Sequence, residues 1–512
     1  MTEPIHPWTS AAQERAGRTL QELHARVCAP ERLLAWNDVE HADREGTCVV
    51  YWMARAHRGI HNLALDSAIA AATALRLPVL VLLRLSAGPV GTELRHVDVV
   101  LRGLPDALAD CAARGAHVAV AERTGPGTAA VLDRLRPALV VTDDDVMPAA
   151  RRSRYAVAAT LRVPMISVDT DVVVPGACFP RQEYAARTLR PKLHRVLAAF
   201  EGELGDDRSG TRAPALPAPP AWHAIEHLDL HAPGTPRETW QARIAERLQQ
   251  ARDAGTGATA GPIDGIEAGT RAGLARLEQF ATATLTGYAT ARNKPELDAT
   301  SRLSMAVHYG HLSPHAVVAR VRAADVPAPD SEAFLEEFIV RRELSWNYVR
   351  WNSDAASLDG APAWARRTLA AHASDPREWL WSDDDLEAGD THDPLWNAAQ
   401  RQMVERGHMH GYLRMYWAKK LLEWRADPAD AFDIALRLND RWQLDGRDPN
   451  GIVGVAWAIA GVHDRPWHER PIFGQIRYMS LASTGRKFDS RAFVRAWGGV
   501  RGAALQEPGR YA

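Results

Sequence analysis

The sequence predicts an α/β domain with a parallel sheet, then a linker, then an all-α domain. Three observations lead to this fold class. Continuous apolar runs alternate with helical patterns between residues 46 and 174, a segment rich in Pro and Ala follows, and no convincing strand pattern appears after about residue 235. Strands that are apolar at every position are typical of parallel sheets, because crossover helices cover both faces of such sheets.

Five apolar runs are the predicted strands. They are CVVYWM (48–53), LPVLVLLRL (77–85), HVAVAE (117–122), ALVVTDD (138–144) and VPMISVDTDVVV (163–174). The stretches between them, such as HNLALDSAIAAATALR (61–76), have helical period and are long enough for a crossover helix. We therefore expect the α/β domain at 46–180, with residues 1–45 as an N-terminal extension.

The segment ELGDDRSGTRAPALPAPPAW (203–222) reads as a semi-extended linker, because Pro restricts the backbone and charged residues resist burial. We expect the linker at 181–234 and the helical domain at 235–512. Helical period runs through 238–255, 269–285 and 331–351. GTGATAG (255–261) superficially resembles a phosphate-binding loop, but it follows a helical pattern instead of a strand, so linker is the favoured interpretation.

Composition excludes several classes of protein. No stretch is apolar for long enough to span a membrane, and MTEPIHPWTS lacks the basic and apolar regions of a secretory signal. The four cysteines form no CxxC pair, which predicts free thiols in a reducing, cytoplasmic compartment and no zinc site. The net charge of −2 means that any contact with nucleic acid must use a local basic patch.

Tryptophan is the strongest compositional bias, since 12 of the 17 tryptophans follow residue 340. The segment MHGYLRMYWAKKLLEW (409–424) shows it best. Its apolar residues fall on one helical side, so a buried core helix is the simplest interpretation. Trp417 and Trp424 are seven residues apart, however, which places them about 10 Å apart along a helix axis, a short hop for an electron. Both interpretations stay open at this point.

Two polar clusters each allow a structural and a functional interpretation. Thr300, Ser301 and Ser304 precede an apolar helical run, and they suit either a plain helix cap, which the pattern favours, or an anion site at a helix N-terminus. Glu337 and Arg341 are four residues apart on a helix, which favours a surface ion pair over a carboxylate at the floor of an aromatic pocket.

Two further motifs are also ambiguous. The turn DGRDPNG (445–451) contains Asp445, Arg447, Asp448 and Asn450. These residue types are common in tight turns, and they are also suited to binding the polar edge of a cofactor. His408 and His410 flank Met409, but a metal would need further ligands, so hydrogen-bonded or surface histidines are expected.

Taken together, these motifs resemble the class II cyclobutane pyrimidine dimer photolyases of the photolyase/cryptochrome family. The residues that carry the resemblance are HDPLWNAAQ (392–400), MHGYLRMYWAKKLLEW (409–424), LNDRWQLDGRDPNG (438–451), WAIAGVHDRPW (457–467) and FGQIRYMS (473–480). A weaker similarity extends through VVYWMARAHRGIHNLAL (49–65), so the resemblance covers nearly the whole chain.

The resemblance implies a Rossmann-like antenna domain, a long linker and a helical domain that holds U-shaped FAD. By position, Arg414 and Asp445 would form the ion pair beside the flavin ring, and Asn439 would face its N5. The other implied cofactor-binding residues are Tyr288, Thr300, Ser301, Arg302, Leu303, Ser304, Gly446 and Arg447. A second antenna chromophore, such as a deazaflavin, would fit the N-terminal domain of the family.

The resemblance also implies light-driven repair of pyrimidine dimers in UV-damaged DNA. Excited, fully reduced FAD would give one electron to a flipped-out dimer and later recover it, so no acid–base machinery is needed. The implied electron chain is Trp417, Trp396 and Trp424, from the flavin outward. Glu337, Trp457, Met415, Arg341 and Arg292 would form the lesion site, with Glu337, Asn439, Trp457 and Met415 as the catalytic residues. We expect a monomer without an obligate protein partner; a light-sensing flavoprotein of cryptochrome type is the alternative.

Overall fold

The computed structural model describes residues 8–85, 93–122, 127–203, 211–223 and 260–498, with the single positions 246, 249 and 253. Most of the predicted helix 238–255 and of GTGATAG lies outside the described residues. Contacts divide the chain into two compact units. Unit 1 comprises Met1–Pro180, Pro191–Gln279 and Leu303–Ala324, and unit 2 comprises Arg181–Arg190, Phe280–Arg302 and Asp325–Ala512.

Six strands form one sheet in the described part of unit 1. They are β1 (Leu33–Ala35), β2 (Cys48–Met53), β3 (Val79–Leu85), β4 (His117–Glu122), β5 (Pro137–Asp143) and β6 (Met165–Val168). Their order is β1-β6-β5-β2-β3-β4, and all neighbours are parallel except β1 and β6. Central β2 is buried at every residue, as its apolar run predicted. The predicted parallel-sheet class is confirmed.

The ends of the sheet differ from the prediction. β1 lies within the predicted N-terminal extension, where it pairs antiparallel with β6, Leu34 opposite Ser167. β6 ends at Val168 and does not continue to residue 174. The carboxylate of Asp169 accepts hydrogen bonds from the backbone N–H groups of Asp171 and Gly176, which turns the chain away from the sheet.

The helices, in chain order, are α1 (Ser10–Glu22), α2 (Leu63–Leu75), α3 (Leu94–Ala113), α4 (Thr128–Leu135), α5 (Pro148–Ala158), α6 (Ala186–Phe200), α7 (Pro220–His223), α8 (Thr270–Gln279), α9 (Tyr288–Ala291), α10 (Ser304–His308), α11 (Pro314–Arg322), α12 (Ala328–Leu335), α13 (Arg342–Trp351), α14 (Ala363–Ala371), α15 (Asp383–Ala388), α16 (Pro394–Arg406), α17 (Gly411–Trp424), α18 (Pro428–Trp442), α19 (Pro449–Ala460), α20 (Leu481–Gly485) and α21 (Ser490–Trp497). Two π-helical segments, Phe280–Thr284 and Glu336–Arg341, continue α8 and join α12 to α13. The segment predicted as linker begins with α6, so its first part is helical.

A buried carboxylate fills the crevice where the direction of the sheet order reverses, between β5 and β2. The Asp143 Oδ2 atom accepts hydrogen bonds from the backbone N–H groups of Ala54, Arg55 and Ala56 at 2.9, 2.8 and 3.1 Å, and Oδ1 accepts one from the Tyr51 hydroxyl at 2.7 Å. Ligands of parallel α/β sheets commonly bind at this place. Here the backbone amides form a cluster that suits an anion, and the carboxylate of Asp143 occupies it.

Unit 2 is built from helices in the residues that the structure describes. Helices α17, α18 and α19 pack against one another, and side chains cap their N-termini: His410 caps α17, Asp427 caps α18 and Asp448 caps α19. α17 is buried on most of its circumference, including Leu413 and the run from Tyr416 to Leu422. Among the described helices of the whole chain, none is long and apolar enough to cross a membrane.

Candidate functional site

Three tryptophans predicted from the sequence lie in contact in unit 2. The indole rings of Trp417 and Trp396 are stacked, with centroids 6.2 Å apart and ring planes 8° from parallel. The rings of Trp396 and Trp424 meet edge to face, with centroids 5.3 Å apart. Trp396 belongs to α16 and the other two to α17. The ring from α16 therefore lies between the two rings from α17. α17 is therefore both a core helix and the support of an aromatic row.

Hydrogen bonds fix the orientation of two of these rings. The Trp396 Nε1–H donates to the backbone carbonyl of Trp417 at 3.0 Å, and the Trp417 Nε1–H donates to the Gln400 side-chain oxygen at 2.9 Å. Gln400 is fully buried, and it was not among the residues predicted from the sequence. Its signal was its place one helical turn after Trp396, on a helix that is otherwise apolar on that side. Fixed rings keep the distances between the indoles constant.

The predicted ion pair of Arg414 and Asp445 is formed. The Arg414 Nη2 atom lies 2.9 and 3.0 Å from the two carboxylate oxygens of Asp445, and the side chains are 25% and 14% exposed. Gln443 was not predicted, but its side-chain oxygen accepts from the same Nη2 at 2.9 Å and from the backbone N–H of Met409 at 3.1 Å. Gln443 thus ties the start of α17 to the turn after α18.

Asn439, Gly446 and Arg447 lie around one carboxylate, that of Asp440. Its Oδ1 atom accepts from the Asn439 side-chain amide at 2.9 Å and from the Arg447 backbone N–H at 2.8 Å. A Cβ atom on Gly446 would approach the Asn439 carbonyl oxygen to 2.9 Å, and one on Gly451 would approach the Asn439 Nδ2 atom to 2.6 Å. Gly446 thus packs against the backbone of Asn439 and Gly451 against its side-chain amide, so a larger residue at either position would displace Asn439.

The π-helical segment Glu336–Arg341 changes the expected pairing of its charged residues. Residues five apart share a face in a π-helix, and Arg341 accordingly lies 3.4 Å from Glu336. Glu337 instead forms an ion pair with Arg292 at 2.8 Å. The favoured interpretation, an ion pair between Glu337 and Arg341, is therefore wrong, because each of these two residues pairs with a different partner. The Arg341 guanidinium also lies 5.7 Å from the centroid of the Trp457 ring, a cation–π contact.

The remaining predicted residues lie in the segment 288–304. Tyr288 is buried edge-on against Phe280 and Phe334, and burial raises the pKa of its hydroxyl to about 12. The helix α10 has Leu303 at its N-cap, without a side-chain cap, so the favoured interpretation of the nearby hydroxyls as helix caps is wrong. Arg302 has a positive φ of 58° and pairs with Asp298, which curls the loop 300–304 back on itself.

Lys419 is a buried lysine on α17, the helix that carries Trp417 and Trp424. Its ammonium donates to the Ala458 carbonyl at 2.7 Å near the end of α19, and it is 1% exposed. Burial, opposed only in part by the carboxylate of Asp464, lowers the pKa of Lys419 to about 7. The unfolded chain therefore binds one proton more than the folded chain between about pH 7 and the ordinary lysine pKa of about 10.4.

This difference predicts a pH dependence of stability with a definite sign. Because the unfolded state binds the extra proton, wild-type stability should rise from pH 7 to pH 9 relative to Lys419→Met, by up to about 1.4 kcal/mol per pH unit. Urea midpoints of both proteins at the two pH values measure the effect. The comparison cancels groups common to both, such as the buried thiols of Cys48 and Cys111, whose pKa burial raises to about 12. If the stabilities of wild type and Lys419→Met change equally between pH 7 and pH 9, Lys419 is charged in the folded state.

Comparison with known proteins identifies the family. A model of the DNA photolyase family matches residues 49–220. The chain is 37% identical over 458 residues to a protein of Methanothermobacter thermautotrophicus named deoxyribodipyrimidine photo-lyase, a match that covers 89% of this chain and 95% of that protein. The chain belongs to the photolyase family. A photo-lyase of the same name from Oryza sativa subsp. japonica is 39% identical over 468 residues, covering 88% of this chain and 87% of that one.

The likeness in fold to solved structures covers most of the chain, including its sheet-containing and its helical parts. The crystal structure of a cryptochrome from Synechocystis sp. PCC6803 matches with a TM-score of 0.64 and 14% identity, and covers 88% of each chain. Photolyases and cryptochromes generally bind FAD. The residues present here fit a flavin: a partly buried ion pair of Arg414 and Asp445, and a buried side-chain amide at Asn439.

Proposed function

We propose that this photolyase is of the class II type and repairs cyclobutane pyrimidine dimers in DNA, using light and fully reduced FAD. Family membership supports the activity, because the relatives that match most of its length are named deoxyribodipyrimidine photo-lyase. The row of Trp417, Trp396 and Trp424 carries the proposal at the level of residues. Indoles in contact conduct single electrons, and the proposed chemistry consists of single-electron transfer.

In this proposal the chain binds and orients the cofactor with few groups. Arg414 and Asp445 would lie beside the flavin ring, Asn439 would face its N5, and Gly446 and Arg447 would contact its edge. Tyr288 and the loop 300–304 would hold the ribityl and phosphate groups. FAD, when bound, supplies light absorption and one transferable electron. The Arg414 guanidinium would favour a negatively charged ring beside it.

The lesion site consists of Glu337, Trp457, Met415, Arg341 and Arg292. The structure supports the proposal through the contact of Arg341 with the Trp457 ring, which orients a half-buried indole suited to stack on a pyrimidine. The ion pair of Glu337 with Arg292 sets a further condition: a dimer carbonyl that bonds Glu337 has to compete with Arg292 or share it. Arg292 is then available to a phosphate or carbonyl oxygen of the substrate.

A second surface of unit 2 has the chemistry of a DNA contact. Trp467 is exposed, and the guanidinium groups of Arg465 and Arg477 lie 4.9 and 5.0 Å from its ring centroid. Its Nε1–H donates to Asp464 at 3.2 Å, which fixes the ring. An indole between two cations suits a base and its flanking phosphates. We propose that Trp467, the last residue of the motif 457–467, contacts DNA.

A second chromophore in the N-terminal unit remains a prediction, as does a cytoplasmic location. The amides of residues 54–56 already bind the Asp143 carboxylate, so an antenna molecule such as a deazaflavin has to use other donors.

Repair of a defined lesion tests the proposed function. The purified protein, with its flavin reduced, is mixed with an oligonucleotide that contains one thymine dimer and is illuminated with blue or near-UV light. Restored thymines in the light, and none in the dark, are the expected result. Unchanged dimer after illumination of reduced, flavin-loaded protein would contradict repair and favour a light-sensing flavoprotein of cryptochrome type.

Loss of the stacking ring should weaken lesion binding. Trp457→Ala removes the proposed stack, and the affinity for a dimer-containing oligonucleotide should fall by the roughly 1–3 kcal/mol of one base–aromatic stack. Fluorescence anisotropy in the dark measures this affinity. The affinity for the same oligonucleotide without the dimer should change much less, and an equal loss for both oligonucleotides would place Trp457 outside the lesion site.

A further inference from the structure

We propose that the tryptophan row continues past Trp424, through His392, to a stacked pair of indoles, the half-buried Trp381 and the exposed Trp379. In this inference Trp379 is the residue at which electrons enter the protein from solution. The inference rests on the proposed electron transfer through Trp417 and Trp396. It assigns a role to three residues, His392, Trp379 and Trp381, none of which belongs to the proposed repair site.

The burial of Trp424 is the first reason. The side chain is 1% exposed, and its Nε1–H has no hydrogen-bond partner in the part of the chain that the structure describes. An oxidised indole becomes a stable neutral radical only when it can release its Nε1 proton. Among the described residues no acceptor for that proton lies near Trp424, and the burial of the ring keeps water from it. It is therefore a poor final site for the oxidised state and a poor contact for an external reductant.

The geometry beyond Trp424 is the second reason. The His392 ring meets the Trp424 ring edge to face, with centroids 5.3 Å apart. On its other side His392 stacks on Trp379, with centroids 4.7 Å apart and planes at 23°. Trp379 is 42% exposed. Each of these contacts is at least as close as the stacked pair of Trp417 and Trp396, at 6.2 Å.

Trp381 adds a second, half-buried indole beside Trp379. Its ring lies 5.9 Å from that of Trp379 at 8°, and 5.8 Å from that of His392 at 20°. The two tryptophans are two residues apart in a segment without helical structure, so an extended backbone places both rings on one side. Stacked indoles share a positive charge, which makes the pair easier to oxidise than a single ring.

His392 suits the position between the indoles. Burial lowers the pKa of His392, assisted by Lys420 and opposed by the carboxylates of Asp393 and Glu378. The imidazole is therefore neutral near pH 7 and adds no positive charge beside an oxidised indole. The next residue, Asp393, caps α16, so the same turn fixes the histidine next to the helix that carries Trp396.

The proposed step transfers one electron and one proton. After Trp417 has given up an electron, it takes one from Trp396, and Trp396 takes one from Trp424. Trp424 is then the radical cation. One electron then passes from Trp379 to the Trp424 radical cation, which becomes neutral tryptophan again. The Trp379 radical cation releases its Nε1 proton to water. A thiol in solution, as its thiolate, then gives one electron to the neutral Trp379 radical, which takes a proton from water, and two oxidised thiols combine to a disulfide.

Dependence on an external thiol tests the inference. The rate of light-driven flavin reduction is measured against dithiothreitol concentration in wild type, in Trp379→Phe, in the double variant Trp379→Phe/Trp381→Phe, and in Trp497→Phe. Trp497 is a half-buried indole on α21 that contacts Arg406, and it serves as the matched control. Phe keeps the packing of the ring but resists oxidation. The slope of rate against thiol concentration should fall several-fold in the double variant and stay unchanged in Trp497→Phe.

Two further readouts follow the tryptophans directly and not the absorbance of the flavin. Transient absorption after a laser flash should show a long-lived neutral tryptophan radical in wild type and a faster-decaying one in the double variant. Peptide mass spectrometry after illumination in air should find oxidised indole at residue 379. Equal thiol slopes and equal radical lifetimes in wild type and the double variant would overturn the inference. They would leave the proposed function intact, because repair and the Trp417 dependence are measured separately.

Discussion

Replacement of Trp417 by Phe is expected to abolish light-driven reduction of the bound flavin and to leave repair by chemically reduced protein unchanged. Trp417 is the first indole of the proposed chain, and its ring stacks on Trp396 with centroids 6.2 Å apart. Phe fills most of the same space but is far harder to oxidise, so the electron path is cut at its inner end. The absorbance of oxidised flavin during illumination with excess thiol measures the first effect. Dimer repair after dithionite treatment measures the second.

Trp497→Phe is the control for this experiment, since it also removes one indole from unit 2. Normal photoreduction in the control and none in Trp417→Phe assigns the effect to the chain. If Trp417→Phe still photoreduces at the wild-type rate, electrons reach the flavin by another route and the assignment of the chain is wrong. If dithionite-reduced Trp417→Phe cannot repair, Trp417 has a role beyond conduction.

Replacement of Asp445 by Asn should release most of the flavin. The carboxylate accepts two hydrogen bonds from the Arg414 Nη2 atom, at 2.9 and 3.0 Å. Without it, a guanidinium that is only 25% exposed loses its counter-charge next to the proposed cofactor site. Loss of a charged hydrogen bond typically costs about 1.5–3 kcal/mol, which corresponds to roughly tenfold to more than hundredfold weaker binding. Fluorescence titration of the apoprotein with FAD measures the affinity.

A surface ion pair provides the matched control. Asp383 is 51% exposed and contacts Arg425 and Arg437 at 2.8 and 2.6 Å, so Asp383→Asn removes the same charge from a solvated place. Exposed pairs contribute about 1 kcal/mol or less, and FAD affinity should be unchanged in this variant. Undiminished FAD affinity in Asp445→Asn would place the ion pair outside the cofactor site.

Most of the fold was predictable because burial dictates residue type over whole elements. β2 and β5 are apolar runs in a sheet covered on both faces, and their sequences alone identified them. β1 was not predictable because three residues carry no periodicity, and its antiparallel pairing depends on a distant strand. The π-helical segment Glu336–Arg341 was missed for a related reason, since one extra residue per turn leaves the helical pattern on either side intact.

The candidate site was predictable to the extent that its residues are chemically unusual. Tryptophans and a charge pair are conspicuous in a sequence, and the structure brings Trp396, Trp417 and Trp424 together and joins Arg414 to Asp445. Gln400 and Gln443 were missed because glutamine is common on helix surfaces. Only the packing of α16, α17 and α18 shows that these two amides are buried and hold the ring and the guanidinium in place.

The pairing of β1 with β6 has a consequence for how the chain folds during synthesis. β1 leaves the ribosome first among the strands, but its partner is the last strand to appear. The buried Arg32 side chain just before β1 likewise bonds the carbonyls of Asp169, Val172 and Val173. The opening segment must therefore wait, unpaired, until the whole α/β region has been made. Closure of the sheet edge is a late, long-range event, which slows folding and leaves a strand edge exposed to aggregation in the meantime.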